Sequence, residues 1–408
     1  MSASDPRVPG GSRIAKRALV ALFGAGFATF AQLYAPQGVL TELAHEFRSD
    51  PGAVSWVIGA ATLGVAVGVV PWARVSDRIG RVVAMRWSVL LALAIGLLVP
   101  LMPTLPALIA VRFLEGLALA GLPALAVTAL AEIVTPAALG AAVGSYVAGT
   151  TIGGLAGRVV SGLVGDACGW GWGVAAVALC SVASAALFLA LIPATRIPPG
   201  PALPLGRAFL ANLRNPGVRV LIAQGFLLMG GFVAVYNVLG FRLQESPFGL
   251  STAQVSWLFL AYLAGAVASR QVWAVVARVH RGRNRGPLAG IESPVRVQLG
   301  CIALMLLGLA LMLLPWLPAV ILGLVLFTGA FFGAHTVASG LIGRRADAGR
   351  SLAPSLYNLG YYIGSALLGG LGGLVFAHWG WGGTVALIAA AAVAAGAAAI
   401  GYARNARG

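Results

Sequence analysis

Long apolar runs of about 20 residues, broken only by short charged connections, restrict this chain to a membrane fold built of helices. At a rise of about 1.5 Å per residue, each run is long enough to cross a hydrocarbon layer about 30 Å thick. Inside that layer every backbone N–H and C=O must be paired internally, which leaves helices or a closed barrel. The runs show no alternation of polarity, so they are helices. They fall near residues 18–39, 54–73, 84–103, 105–131, 138–164 and 171–192, and again near 218–241, 254–277, 297–315, 317–343, 353–376 and 380–402. The composition fits, with 59% of residues hydrophobic and 9% charged, whereas a soluble domain uses about a quarter of its positions for charge. Lys16 and Arg17 precede the first run as they would in a signal peptide, but that run continues to about Val39 and eleven more follow. It is therefore expected to stay as the first span.

Charge placement orients the twelve spans. Of the 27 basic residues, 22 fall on the N-terminal arm, the even-numbered connections and the C-terminal tail, and only Arg48 and Arg242 fall on the opposite side. That bias puts both termini and the loops bearing Arg78, Arg214 and Arg283 in the cytoplasm, in what is expected to be a bacterial inner membrane. The formal net charge of +16 follows topology rather than a soluble face with aromatic platforms, so no nucleic-acid partner is expected. Cys168, Cys180 and Cys301 have no metal-ligand spacing and are expected to be small buried hydrophobes. Neither a phosphate loop nor a pair of metal-binding histidines appears, so the sequence calls for no enzyme chemistry, cofactor or metal.

The two halves repeat. Val54, Ser55 and Trp56 recur as Val255, Ser256 and Trp257. Tyr146, Gly149, Ile152, Gly153 and Gly162 recur 211 positions later as Tyr357, Gly360, Ile363, Gly364 and Gly373, and Gly169–Trp170 recurs as Gly380–Trp381 at the same offset. The expected organisation is two related six-helix bundles, 1–192 and 218–408, joined by a cytoplasmic linker at 193–217.

Local motifs carry a resemblance. After span 2 the chain reads Ala73, Arg74, Val75, Ser76, Asp77, Arg78, Ile79, Gly80, Arg81, Val82. An aspartate at a helix end, a turning glycine and flanking arginines make a charged clasp; an ordinary basic loop that sets topology would look much the same. The segment resembles the signature loop of the major facilitator superfamily, matched at Asp77, Arg78, Gly80 and Arg81, with Ala73, Val75 and Val82 departing from it. Arg112 followed by Gly116 matches the superfamily's span 4 pattern. Residues 30–40, 152–162 and 355–381 are closest to the YnfM-like, arabinose-efflux-type bacterial branch. The resemblance implies an all-α major facilitator fold, and it places the contact of Asp77 around residues 351–357 in a cytoplasm-closed state. It also implies a proton-driven exporter, with uptake by proton symport or a non-transporting sensor or assembly role as alternatives. Two features depart from the family's patterns: the loop after span 8 lacks a second copy of the clasp, since no aspartate stands before Gly282, and span 5 lacks the glycine–proline pair of exporters.

Charges within spans are costly and usually functional. Arg112 and Glu115, three apart on span 4, share a face. Glu115 is read either as a protonatable switch tuned by Arg112 or as one arm of a permanent ion pair. Arg158 on span 5 offers a positive contact to the same half or to an anionic solute, and Arg270 is read as snorkelling. Gly144, Gly149, Gly153, Gly154 and Gly157 on span 5, with Gly360 and Gly364 on span 11, allow close helix contact. Gln32, Tyr34, Gln224, Tyr236, Asn237, His335, Asn358, Tyr361 and Tyr362 are candidates to line a mixed aromatic and polar cavity for a small organic solute. The expected partners are that solute, protons and membrane lipid, with the protein monomeric.

Overall fold

The structure, a computed structural model, describes residues 7–194, 205–282, 289–345 and 352–405. Expectations placed on Arg196, Arg283, Arg285, Arg350, Ser351 and Arg407 lie outside the described residues.

The described secondary structure is helical, with one isolated bridge between Val8 and Val134. Span 1 is Arg13–Glu46, span 2 Pro51–Ile79, span 3 Arg81–Leu101, span 4 Leu105–Ile133, span 5 Pro136–Cys168 and span 6 Trp170–Leu191. Span 7 is Pro216–Gln244, span 8 Thr252–Arg281, span 9 Glu292–Leu311 and span 10 Leu317–Ile342. The last helical stretch, Leu352–Asn405, has 54 residues. As one straight helix it would be about 81 Å long, far beyond a bilayer. Gly380 breaks it, with φ 62° and ψ −164°, into span 11 (353–379) and span 12 (381–403). Gly169 makes the matching break between spans 5 and 6 with φ 88°. Both positive φ values favour glycine, which gives the repeated Gly–Trp pair its physical basis.

The chain forms two compact units. The first comprises residues 1–47 and 60–203, and the second 48–59 and 204–408. A short helix, Leu205–Arg214, occupies part of the linker region. The side chain of Asn215 then caps span 7 by accepting from the backbone N–H groups of Gly217 and Val218, at 2.9 and 3.3 Å.

Small residues let helices touch backbone to backbone in each unit. A Cβ on Gly149, Gly153 or Gly157 would run into the carbonyls of Phe23, Phe27 or Ala31, which binds span 5 to span 1. In the second unit, Gly360 and Gly364 press in the same way on the carbonyls of Ile222 and Phe226 of span 7. Lipid offers no hydrophobic drive for helix association, so this close packing supplies the attraction. Gly144 is different, since nothing lies within 4 Å of where its Cβ would be. The cysteine expectation needs correcting: Cys168 and Cys180 are exposed and Cys301 half-buried. A small apolar side chain facing lipid needs no burial in protein, because lipid is itself apolar.

Candidate functional site

Span 1 positions the buried polar site of the first unit through a break in its own helix. The α-helix Arg13–Tyr34 gives way to a tight 3-10 segment, Ala35–Val39, before helix resumes at Leu40–Glu46. Pro36 lies at the start of that segment and has no N–H, so the carbonyl of Gln32, four residues earlier, loses its helical donor. In hydrocarbon such a carbonyl must find another partner. Arg112 of span 4 provides it: its Nη1 donates to Gln32 O at 3.1 Å and its Nη2 to Leu33 O at 2.5 Å. Nη1 also pairs with the Glu115 carboxylate one helical turn on. Arg112 and Glu115 are each 1% exposed.

Glycines make room for this arrangement. Gly116 carries no side chain because the Ala61 carbonyl of span 2 lies against it, and this close approach accounts for the glycine four residues after Arg112. Gly96 on span 3 leaves space for the side-chain oxygen of Gln32 and for Glu115 Oε1, the latter 3.1 Å from where a Cβ would stand. Gln32 donates to Ala28 O at 3.3 Å, and its own Oε1 is buried without a hydrogen-bond donor. That acceptor and Glu115 Oε1 therefore crowd one small space.

Arg158 of span 5 reaches the same stretch of span 1 slightly farther along. Its Nε donates to Gln37 Oε1 at 2.6 Å and its Nη1 to Gly154 O at 2.6 Å, and its guanidinium lies 4.1 Å from the Tyr34 ring centroid. Ser161 Oγ donates to Ala35 O at 2.6 Å, serving another carbonyl of the break. Gly154 thus serves the Arg158 side chain, whose Nη1 would lie 3.2 Å from its Cβ, rather than a neighbouring helix. Two buried arginines from different spans thus hold one broken segment, 32–37, with Glu115 beside the first. Pro36, Gln37, Ser161 and Gly96 were not singled out from the sequence. The signal available was a proline in the middle of an apolar run, which always leaves a carbonyl to be satisfied.

The second unit divides its candidates by burial. Gln224 is fully buried; its Oε1 accepts from Gln298 Nε2 at 2.9 Å, tying span 7 to span 9. Tyr236 is 2% exposed, bonds Thr328 Oγ1 at 2.8 Å and stacks among Phe232, Phe259 and Tyr262. Asn237 and Tyr362 are buried as well. His335 and Tyr361 are half-buried and Asn358 is exposed. His335 Nδ1 lies 2.8 Å from Tyr357 OH, and its ring lies 5.1 Å from that of Tyr361. Of the second unit's candidates, His335, Asn358 and Tyr361 are the ones left at least partly accessible.

At the end of span 2, Asp77 and Arg78 are exposed. Arg81 pairs with Glu132 at the end of span 4. The N-terminal arm also fastens there, Val8 N donating to Ile133 O at 2.9 Å and Thr135 N to Val8 O at 3.0 Å. Arg270 is exposed on span 8.

The sequence profile of the Major Facilitator Superfamily matches residues 22–347. The chain belongs to that superfamily. It is 37% identical to the inner membrane transport protein YnfM of Escherichia coli (strain K12) over 376 residues, covering 91% of this chain and 87% of that one. It is 32% identical to the uncharacterized MFS-type transporter YybF of Bacillus subtilis (strain 168) over 381 residues, covering 93% and 91%. Among solved structures, an inward-facing bacterial homolog of the human lysosomal transporter Spinster matches with a TM-score of 0.72 at 16% identity, covering 97% of this chain and 98% of that one. The fold is therefore the major facilitator fold and the protein an integral membrane protein. Its superfamily is one of transporters rather than enzymes, and its members move small solutes by alternating access as secondary-active carriers.

Proposed function

We propose that this carrier is proton-coupled, with Glu115 as the proton site, and that it works as an uptake symporter with both termini in the cytoplasm. The observation that carries the coupling is the buried Arg112–Glu115 pair, set on the broken part of span 1. A carboxyl whose contact with water differs between two states of a carrier must differ between them in proton affinity. Proton binding then biases the states. Arg112 sets that affinity, and Arg158 offers a positive contact in the same unit.

Direction is read from span 5. It is a single helix, Pro136–Cys168, with no proline beyond its first residue, and Gly149, Gly153 and Gly157 are all occupied in packing against span 1. The glycine–proline hinge of exporters has no counterpart here. Efflux is kept as the second reading because of the likeness to the YnfM-like branch. The bundle boundaries 1–192 and 218–408, the clasp role of Asp77 and the solute contacts of His335, Asn358 and Tyr361 belong to this same proposal. Proteoliposomes loaded with a pH-sensitive dye and challenged with a panel of sugars, nucleosides, amino acids, peptides and organic acids test it. Symport acidifies the lumen when an external solute enters, whereas luminal alkalinisation by the entering solute would establish exchange for protons.

A further inference from the structure

We propose that a groove on the second unit, between spans 8, 9 and 10, binds an anionic phospholipid from the leaflet at the basic end of those spans. The groove has a volume of about 620 Å³ and is lined mostly by apolar and small side chains, with Arg296 at one end and Gln271 part-way along span 8. That volume lies within the range of about 300–1,000 Å³ typical of pockets for small organic ligands. Its emptiness is built into the sequence at Gly300, which has nothing within 4 Å of where a Cβ would be.

The axial extent fits one leaflet. Leu304, toward the deep end, comes eight residues after Arg296 on span 9, which is about 12 Å at the helical rise and so nearly half of the hydrocarbon thickness. Leu304 and Val325 are exposed on the lining, and Leu307 and Leu322 are exposed beside them on the same spans. An exposed surface of that kind on a membrane-spanning helix meets acyl chains.

Charge selects the headgroup. Arg278 follows Gln271 by seven residues, two helical turns, and is exposed on the same face of span 8. Arg296 is 48% exposed, and its partner Glu292, at 3.2 Å, is the only acidic residue in spans 8 to 10. An ion pair so exposed is weak, so it yields readily to a phosphodiester, which takes charge-assisted hydrogen bonds from guanidinium groups. Arg296 in the groove lining and Arg278 beside Val279 at its basic end match a lipid with net negative charge, where a zwitterionic headgroup would leave the arginines uncompensated.

Photo-crosslinking tests this on the full chain in lipid nanodiscs, using phosphatidylglycerol with a diazirine in its acyl chain and the matching phosphatidylcholine. The expected result is labelling of peptides from spans 8, 9 and 10 that contain groove residues, stronger with phosphatidylglycerol. Each arginine near the surface contributes about 1 kcal/mol of attraction to anionic lipid, or about a fivefold preference. R296Q should therefore reduce the preference about fivefold while keeping the acyl-chain label. G300W starts from an open Cβ position on the lining, fills the groove with its indole and should remove the label from these peptides. Equal labelling by the two lipids, unchanged labelling of folded G300W, or labelling elsewhere on the chain would each overturn the proposal. The wild-type labelling map alone decides the matter if a variant does not fold.

Discussion

Replacing Arg112 with methionine probes the buried network most directly, because the structure gives each lost contact a separate consequence. The single change leaves Glu115 buried without its partner and removes the donors to Gln32 O and Leu33 O. Breaking a buried pair from one side costs about 3–5 kcal/mol, so R112M is expected to lose about 4 kcal/mol. E115Q breaks the same pair from the other side, but Arg112 keeps its hydrogen bonds to both carbonyls and has a neutral amide acceptor in place of the carboxylate, so its cost should fall at the low end of that range, about 3 kcal/mol. The double variant R112M/E115Q removes the uncompensated charge but still leaves two buried carbonyls, each worth about 1–3 kcal/mol; it should sit near 3 kcal/mol. Because the Gln32 carbonyl lost its helical donor to Pro36, adding P36A supplies an N–H and should return about 1 kcal/mol to the double variant. Intrinsic tryptophan fluorescence during denaturant unfolding in detergent, read as a double-mutant cycle, measures all four. A cost below 1 kcal/mol for R112M, or no gain from P36A in the double variant, would refute the assignment of Arg112 to the broken segment.

Two further outcomes follow, the first from the helix packing and the second from the proposed clasp. G153L forces a side chain into the Phe27 carbonyl and should abolish stable folded protein, whereas G144A, in open space on the same helix, should be neutral or stabilise by up to about 1 kcal/mol; size-exclusion profiles and melting curves separate the two. D77N should increase the labelling of cysteines placed on the cytoplasmic ends of spans 2 and 11 and reduce transport, because the clasp charge is lost while its volume is kept; unchanged labelling with unchanged transport would count against the clasp.

The fold was legible in the sequence because hydrocarbon allows few solutions. Run lengths marked the spans, and the offset of 211 positions marked the repeat, whose Gly149/Gly360 and Gly153/Gly364 pairs turn out to make the same kind of backbone contact in each unit. The glycines themselves were not equivalent, however. Gly153 meets a carbonyl, Gly154 makes room for Arg158 and Gly144 faces open space, and spacing alone cannot say which side of a helix has a neighbour. Arg112 and Glu115 were visible as charges in an apolar run, but their relation to Gln32 and Leu33 depends on how spans 1 and 4 pack. Pro36 was the local sign of that relation. Gln224, Tyr236 and Asn237, read as cavity candidates, are buried between helices, because polar side chains on a glycine-rich helix serve packing as readily as binding.

Transport by folded E115Q in proteoliposomes, measured over a series of imposed pH gradients with a solute identified by the dye assay, tests the central claim most directly. E115Q is expected to lose all gradient-driven accumulation while retaining downhill exchange of the solute, since alternating access survives without proton work. Accumulation that follows the gradient as steeply as in the wild-type protein would contradict it and leave Glu115 as a brace for Arg112.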